Sequence, residues 1–129
     1  MTTSQQVKGA QFCHFFGPLL DALRGLGGSG TPDEVVGRIA TDLSLSDKIQ
    51  NELLPSGEPR FRNQVAWARF YLVREDLLDS SKRGVWSLTE RGRATSLTPS
   101  QAQDIFRKWV KVFQAQRRAK TSGRYQISV

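Results

Sequence analysis

Two short runs of β-favouring residues, 77–79 and 85–89, lie in the second half of the chain and are separated by Ser, Ser, Lys, Arg and Gly. Turn residues between two such runs predict a β-hairpin whose tip carries two cations, Lys82 and Arg83. We expect Val85 and Leu88 to hold the returning strand against the helices, with Trp86 on its other face. The chain must therefore fold so that a small hairpin packs beside the elements that precede it.

Two helices are predicted in the first third of the chain. The first carries apolar residues at helical spacing and is ended by a glycine-rich run, and its apolar residues are Phe15, Leu19, Leu20, Leu23 and Leu26. The second begins with Thr31 as N-cap and Pro32 at its first position. Its inward residues are expected to be Val35, Val36, Ile39 and Leu43.

A capped turn at Ser46 and a Pro/Gly-rich loop lead to a third predicted helix, which ends near Glu75. Its apolar stripe follows an i, i+4, i+7, i+11 pattern formed by Phe61, Val65, Ala68 and Leu72. Three helices followed by a hairpin predict a mainly α (α+β) fold, the winged helix-turn-helix, with the hairpin as its wing. This domain is expected to span 12–95, between a flexible N-terminus at 1–11 and an amphipathic helix with a basic tail at 96–129.

The charge of the chain is unevenly distributed. Of its 129 residues, 1–81 hold 8 Lys/Arg against 10 Asp/Glu and 82–129 hold 11 against 2, so the two parts carry −2 and +9. A basic surface concentrates polyanions, which favours nucleic acid as the partner, although a basic tail also serves solubility alone. Cys13 is the only cysteine and no apolar leader opens the chain, so a cytoplasmic, nucleoid-associated protein that does not enter a membrane is expected.

Residues 53–92 carry a family resemblance. The motif Pro-Arg-Phe-x-Asn-x-Val-x-Trp-Ala stands at 59–68, Leu-Leu at 77–78 and Arg-Gly-Val-Trp-x-Leu-Thr-x-x-Gly at 83–92. With the segment before them, these motifs resemble the N-terminal winged-helix domain of Mrr-type (type IV) restriction endonucleases over roughly residues 12–95. The resemblance implies double-stranded DNA binding in a restriction system that acts on modified foreign DNA.

In those enzymes the domain precedes a nuclease domain of the PD-(D/E)xK type. Metal-dependent cleavage of this kind needs clustered carboxylates and a lysine two residues after an acid. The chain contains no Asp-x-Lys or Glu-x-Lys triplet, and only Glu90 and Asp104 follow the wing. We therefore expect a recognition module without a catalytic centre of its own, and no enzyme activity. No cofactor or metal is expected.

Candidate DNA-binding residues lie in the third helix and around the wing. A recognition helix presents its first turns to base edges, which selects Arg60, Arg62, Asn63 and Gln64. Arg69, further along, is expected to reach a phosphate or a neighbouring carboxylate. The wing tip adds Lys82 and Arg83, and the residues after it add Arg91 and Arg93.

Three other features have ordinary structural interpretations. The run 25–30 matches G-x-G-x-x-G but follows a helix, whereas a dinucleotide fingerprint follows a strand. Cys13 and His14 lack further Cys or His partners for a tetrahedral metal site and are expected to be packing and surface residues. The aromatics of the third helix could stack on bases, but we expect Trp67, Phe70 and Tyr71 to fill the core.

The C-terminal segment is predicted to be helical from the N-cap Thr98 to about residue 119. Its apolar face comprises Ala102, Ile105, Phe106, Trp109, Val112 and Phe113. Such a face packs on the winged domain, forms a homodimer with a second copy, or supports a nuclease domain or subunit. The sequence does not choose among these arrangements, and we predict the homodimer. A winged-helix transcriptional regulator and a protein-interaction winged helix remain alternative functions.

Overall fold

A computed structural model describes residues 11–128 and the side chains of 12–120. The predicted flexible segment at 1–11 lies outside these residues, apart from Gln11. The elements follow one another as a 3-10 helix Gln11–Phe15, α1 Phe16–Gly25, β1 Ser29–Gly30, α2 Pro32–Asp42, α3 Asp47–Asn51, α4 Arg60–Arg74, β2 Leu78–Asp79, β3 Trp86–Leu88, α5 Glu90–Arg93 and α6 Pro99–Ser128. This order is an α+β, winged-helix-like fold, and the third helix predicted from the sequence is α4.

Helix α2 begins at a capping box. The backbone N–H of Glu34 donates to Thr31 Oγ1 at 3.2 Å, and the N–H of Thr31 donates to Glu34 Oε1 at 2.8 Å. This confirms Thr31 as the N-cap. Val35 and Ile39 are buried as predicted, but Leu43 is 41% exposed because the helix ends at Asp42 and Leu43 lies at its C-cap. The prediction that Leu43 points inward was therefore wrong.

Within the described residues, three short strands form one antiparallel sheet in the order β1-β3-β2. Strands β2 and β3 are the predicted hairpin, paired through Leu78 with Leu88. Strand β1 was not predicted, because Ser29 and Gly30 lack β-favouring side chains and pair through their backbone alone. The glycine-rich run that ends α1 therefore also completes the sheet.

The returning strand β3 faces the core with Leu88, as predicted, and with Trp86 instead of Val85. Trp86 and Leu88 are buried, whereas Val85 lies before the strand and is only partly buried. Side chains of a strand alternate between its two faces, so positions 86 and 88 share a face and positions 85 and 88 cannot. Trp86 is thus a core residue that anchors the wing, and its prediction as an outward residue was wrong.

The turn after β3 requires a glycine. Thr89 caps α5 by accepting from the N–H of Gly92 at 2.9 Å, and this brings Gly92 against the backbone of Leu77. A Cβ at Gly92 would overlap the carbonyl oxygen of Leu77. Arg24 of α1 holds the same turn, because its guanidinium donates to the carbonyl oxygens of Gly92 at 3.0 Å and of Thr95 at 2.6 Å.

Helix α6 packs back on the winged domain of its own chain. Thr98 caps it through Gln101, as predicted. Ala102 is buried, and four further residues of its apolar face are partly buried against the core, namely Ile105, Phe106, Trp109 and Phe113. Folding back was one of the three arrangements that the sequence left open. The apolar stripe is therefore used within one chain, while homodimer formation stays a prediction.

The core is formed mainly by α1, α2 and α4, closed by the sheet on one side and by α6 on another. The stripe of α4 is buried as predicted, and its members are Phe61, Val65, Ala68 and Leu72. Tyr71 is also buried. Trp67 and Phe70, however, are 47% and 36% exposed, so the prediction that they fill the core was wrong.

Candidate nucleic-acid interface

The tip of the wing is a tight turn that presents two cations. Asp79 accepts from the backbone N–H of Ser81 at 2.8 Å and from its hydroxyl at 3.0 Å, and these hydrogen bonds lower the pKa of Asp79. Gly84 has a φ of 75°, which closes the turn without steric strain. Lys82 and Arg83 lie between Ser81 and Gly84. Both are exposed, and neither forms an ion pair with another described residue. Both cations are thus available to an anion.

The first residue of α4 is tied to the loop before it. The Nε of Arg60 lies 3.2 Å from Glu52 Oε2, and the backbone N–H of Arg60 donates to the carbonyl oxygen of Glu52 at 2.8 Å. A short bridge between Leu53 and Pro59 closes the same loop. Arg60 therefore positions the start of α4, with a side chain that is only partly exposed.

Arg62 and Asn63 stand side by side on the first turn of α4, and each contacts a carboxylate. Arg62 forms an ion pair with Asp33 of α2, and the side-chain amide of Asn63 donates to Glu58 Oε1 at 3.1 Å. The two residues line a shallow cavity of about 250 Å³ with Glu58 and Ala66. Because Glu58 engages one N–H of Asn63, the amide keeps its second N–H and its oxygen for another partner.

Gln64 and Arg69 lie on α4 with partly buried side chains. Arg69 forms no ion pair with a described carboxylate, and instead its guanidinium lies 5.2 Å from the ring centroid of Trp86. Since Trp86 belongs to β3, Arg69 connects α4 to the wing. Its contact in this structure is therefore a structural one, between helix and wing.

Arg91 belongs to a cluster around Glu75, the residue that caps the C-terminus of α4. Its guanidinium donates to the carbonyl oxygen of Glu75 at 2.6 Å and lies 3.4 Å from the carboxylate. Lys108 Nζ approaches the same carboxylate at 2.5 Å, and Trp109 Nε1 donates to it at 2.8 Å. Arg91 is therefore engaged within the protein. Arg93, by contrast, is exposed and lies beside Gly28.

The pKa of Glu75 reflects these contacts. Its side chain is 10% exposed, and burial by itself raises the pKa of a carboxyl group. Hydrogen bonds from Lys108 and Trp109, together with the charges of Lys108 and Arg91, outweigh burial and lower the pKa of Glu75. Glu75 is thus ionised in the folded protein and joins α4, α5 and α6.

The exposed surface of α4 includes residues that were predicted to lie in the core or were not predicted to bind DNA. Phe70 and Arg74 lie with Arg69, Val73 and Ser80 around a cavity of about 240 Å³ between α4 and the base of the wing. Trp67 and Phe70 also face α6 across a larger groove. A helical projection places them outside the buried stripe, since at 100° per residue they stand about 240° and 180° from Phe61, but it does not show whether α6 covers them.

The part of the chain that the structure describes contains neither a metal-binding cluster nor a membrane-spanning helix. No group of three or more His, Cys, Asp or Glu residues within it could hold a metal ion. Cys13 is buried, which raises the pKa of its thiol to about 11, so it remains a protonated packing residue. No helix among the described residues is long and apolar enough to span a membrane.

Comparison with protein families gives a match. The model of the family described as Mrr N-terminal domain matches residues 12–108, which include the wing, α4 and the first part of α6. The matched region extends beyond residue 95, so α6 starts inside it rather than after it. No curated protein and no solved structure matches the chain.

Proposed function

Because the chain belongs to the Mrr N-terminal domain family, we propose that it binds double-stranded DNA as the recognition module of an Mrr-type restriction system. The family associates the chain with such systems, and the family model that matches is that of an N-terminal domain, not of a nuclease. The proposal assigns DNA contact to α4 and the wing. Cleavage is assigned to a different domain or subunit.

The wing tip carries this proposal. Lys82 and Arg83 are exposed, without ion pairs to described residues, on a turn that Asp79 and Gly84 shape. The buried Trp86 and Leu88 fix the strand behind that turn to the core. A rigidly mounted pair of cations suits contact with a phosphate backbone, which supplies most of the affinity of DNA-binding proteins.

The first turn of α4 supports a second, more selective role. Arg62 and Asn63 have the side chains that pair with guanine and adenine in the major groove. Their partners Asp33 and Glu58 orient them and place negative charge where a phosphate would otherwise bind. A surface of this kind disfavours indiscriminate phosphate contact. It therefore favours base reading at α4 and backbone binding at the wing.

Titration of a fluorescently labelled duplex of about 20 base pairs at several salt concentrations tests the proposal. We expect binding at low salt and a linear decrease of log K with log salt concentration, because each neutralised phosphate releases counterions. Absence of binding at low salt, or an affinity that salt does not change, would contradict DNA binding and favour a protein-interaction winged helix.

A further inference from the structure

An open groove of about 920 Å³ lies between the outer face of α4 and α6. Its floor consists of aromatic rings, those of Trp67, Phe70, Tyr71 and Phe113. Trp67 and Phe70 are substantially exposed although they touch each other. Neighbouring exposed aromatics on a small domain mark a binding surface more often than an accident of packing. This α4–α6 groove is not used by the wing or by the first turn of α4.

Trp67 is packed between two other aromatic residues and is still exposed. The ring of Phe12 lies 6.3 Å away at an interplanar angle of 29°, and the ring of Phe70 lies 5.5 Å away at 77°. These neighbours restrain the indole, while 47% of the residue remains open to solvent. A restrained aromatic ring that is still exposed suits stacking against another flat, apolar group.

The rim of the groove is basic. Arg74, Arg117 and Lys120 line it, and no carboxylate is found among its described lining residues. The guanidinium of Arg74 lies over Phe70 at 5.2 Å and over Phe113 at 5.9 Å. These cation–π contacts hold the guanidinium beside the rings, where its N–H groups can still donate to an anion. The groove therefore complements a ligand that combines flat apolar groups with negative charge.

We propose that the α4–α6 groove binds a short stretch of unpaired nucleic acid, with a base stacked on Trp67 and backbone phosphates paired with Arg74 and Lys120. Aromatic platforms within a positively charged track are the usual means of binding single strands without sequence preference. Asn63 lies four residues before Trp67, so the groove continues the exposed face of α4 that the proposed function assigns to DNA. The inference does not require duplex binding.

Fluorescence anisotropy of a labelled oligothymidylate of about 12 nucleotides, measured on the full chain, tests this proposal. Trp67→Ala is expected to weaken binding about 5-fold or more, and Trp67→Tyr, which keeps a stacking ring, to weaken it about 2-fold at most. Leu53→Ala is the matched control, because Leu53 is also an exposed apolar residue and lies outside the groove. Arg74→Gln should weaken binding and lower the salt slope by about 0.7.

Melting curves by circular dichroism show whether each variant is folded, and Trp67→Tyr keeps the test valid if Trp67→Ala is destabilised. Equal oligothymidylate binding by the wild type, Trp67→Ala and Leu53→Ala would overturn the proposal. A glutamate-rich amphipathic peptide that binds through Trp67 while oligothymidylate does not would also overturn it, in favour of a protein partner. Duplex binding, measured in parallel, reports separately on the proposed function.

Discussion

At the scale of single residues, six of the seven cations chosen from the sequence separate into two groups, and Arg69 belongs to neither because it lies over Trp86. Lys82, Arg83 and Arg93 are exposed and form no ion pair with another described residue. Arg60, Arg62 and Arg91 are paired with Glu52, Asp33 and Glu75. An ion pair between exposed groups contributes only about 0–1 kcal/mol, so Arg62 can exchange Asp33 for a base at little cost. Arg91 cannot exchange as readily, because its partner is largely buried.

The unpaired cations of the wing and the paired residues of α4 are expected to affect DNA binding differently when they are substituted. The double change Lys82→Ala with Arg83→Ala should weaken binding to all duplexes alike and lower the salt slope by about 2, since each cation neutralises one phosphate. Arg62→Ala or Asn63→Ala should instead change the preference among sequences or modified bases. Competition between labelled duplexes measures both effects.

Lys48→Ala is the control for the loss of charge, because Lys48 is exposed on α3 and belongs to neither group. Equal losses on every duplex from the wing variant and the α4 variants would show that α4 only positions the protein. Base reading by Arg62 and Asn63 would then be rejected.

At the scale of elements, Glu75 is the point where three helices meet. Glu75 is the C-cap of α4. Its carboxylate forms ion pairs with Arg91 of α5 and Lys108 of α6, and it accepts a hydrogen bond from Trp109 of α6. The apolar face of α6 explains why this helix leaves water, but these polar contacts specify where along α4 it packs. A buried carboxylate with partners from two other elements is costly to leave without them.

Stability should therefore depend on the ionisation of Glu75. Its pKa is lower in the folded protein than its ordinary value of 4.5, so its contribution is complete above that pH and is lost as the pH falls through the lower, folded-state pKa. Glu75→Gln is expected to reduce the free energy of unfolding at neutral pH by about 1–3 kcal/mol and to flatten its acid dependence. Urea unfolding between neutral pH and pH 3 measures both.

Glu90→Gln is the matched control, because Glu90 is exposed and forms no ion pair with a described residue. If the two variants lose the same stability, or if the acid dependence of Glu75→Gln equals that of the wild type, the cluster does not hold the helices together.

At the scale of the whole molecule, α6 is part of the winged domain. Its first turns bury Ala102 against the core, and its aromatic residues pack on α4 and the N-terminal 3-10 helix. Phe12, for example, meets both Tyr71 and Phe106 at ring-centroid distances of 5.6 and 5.3 Å. The elements on both sides of the wing thus pack into one core.

Polar substitution in α6 should accordingly destabilise the domain. Ile105→Gln combined with Trp109→Gln is expected to lower the free energy of unfolding by roughly 2–5 kcal/mol, because both side chains pack on the core. Urea unfolding measures the loss, and Lys111→Gln on the exposed side of the helix is the control. Sedimentation of the same proteins gives their mass. A dimeric wild type and a fully stable monomeric variant would assign this face to an interface between two copies.

The sequence by itself determined the local structure. Thr31, Ser46 and Thr98 accept from nearby backbone N–H groups, which places the starts of α2, α3 and α6. The stripe of α4 and the turn of the wing are equally local, because periodicity and turn chemistry act within a few residues. These signals were sufficient for the fold class and for the location of the wing cations.

Only the tertiary structure decided which of these residues meet. Strand β1 pairs through its backbone groups, so no side-chain pattern predicted it. Asp33 and Arg62 are 29 residues apart in sequence, and Glu75 and Trp109 are 34 apart. The exposure of Trp67 and Phe70 depends on where α6 lies, since a long helix packed elsewhere would have covered or uncovered different rings. Contacts between distant segments depend on how whole helices pack, and no short stretch of sequence contains that information.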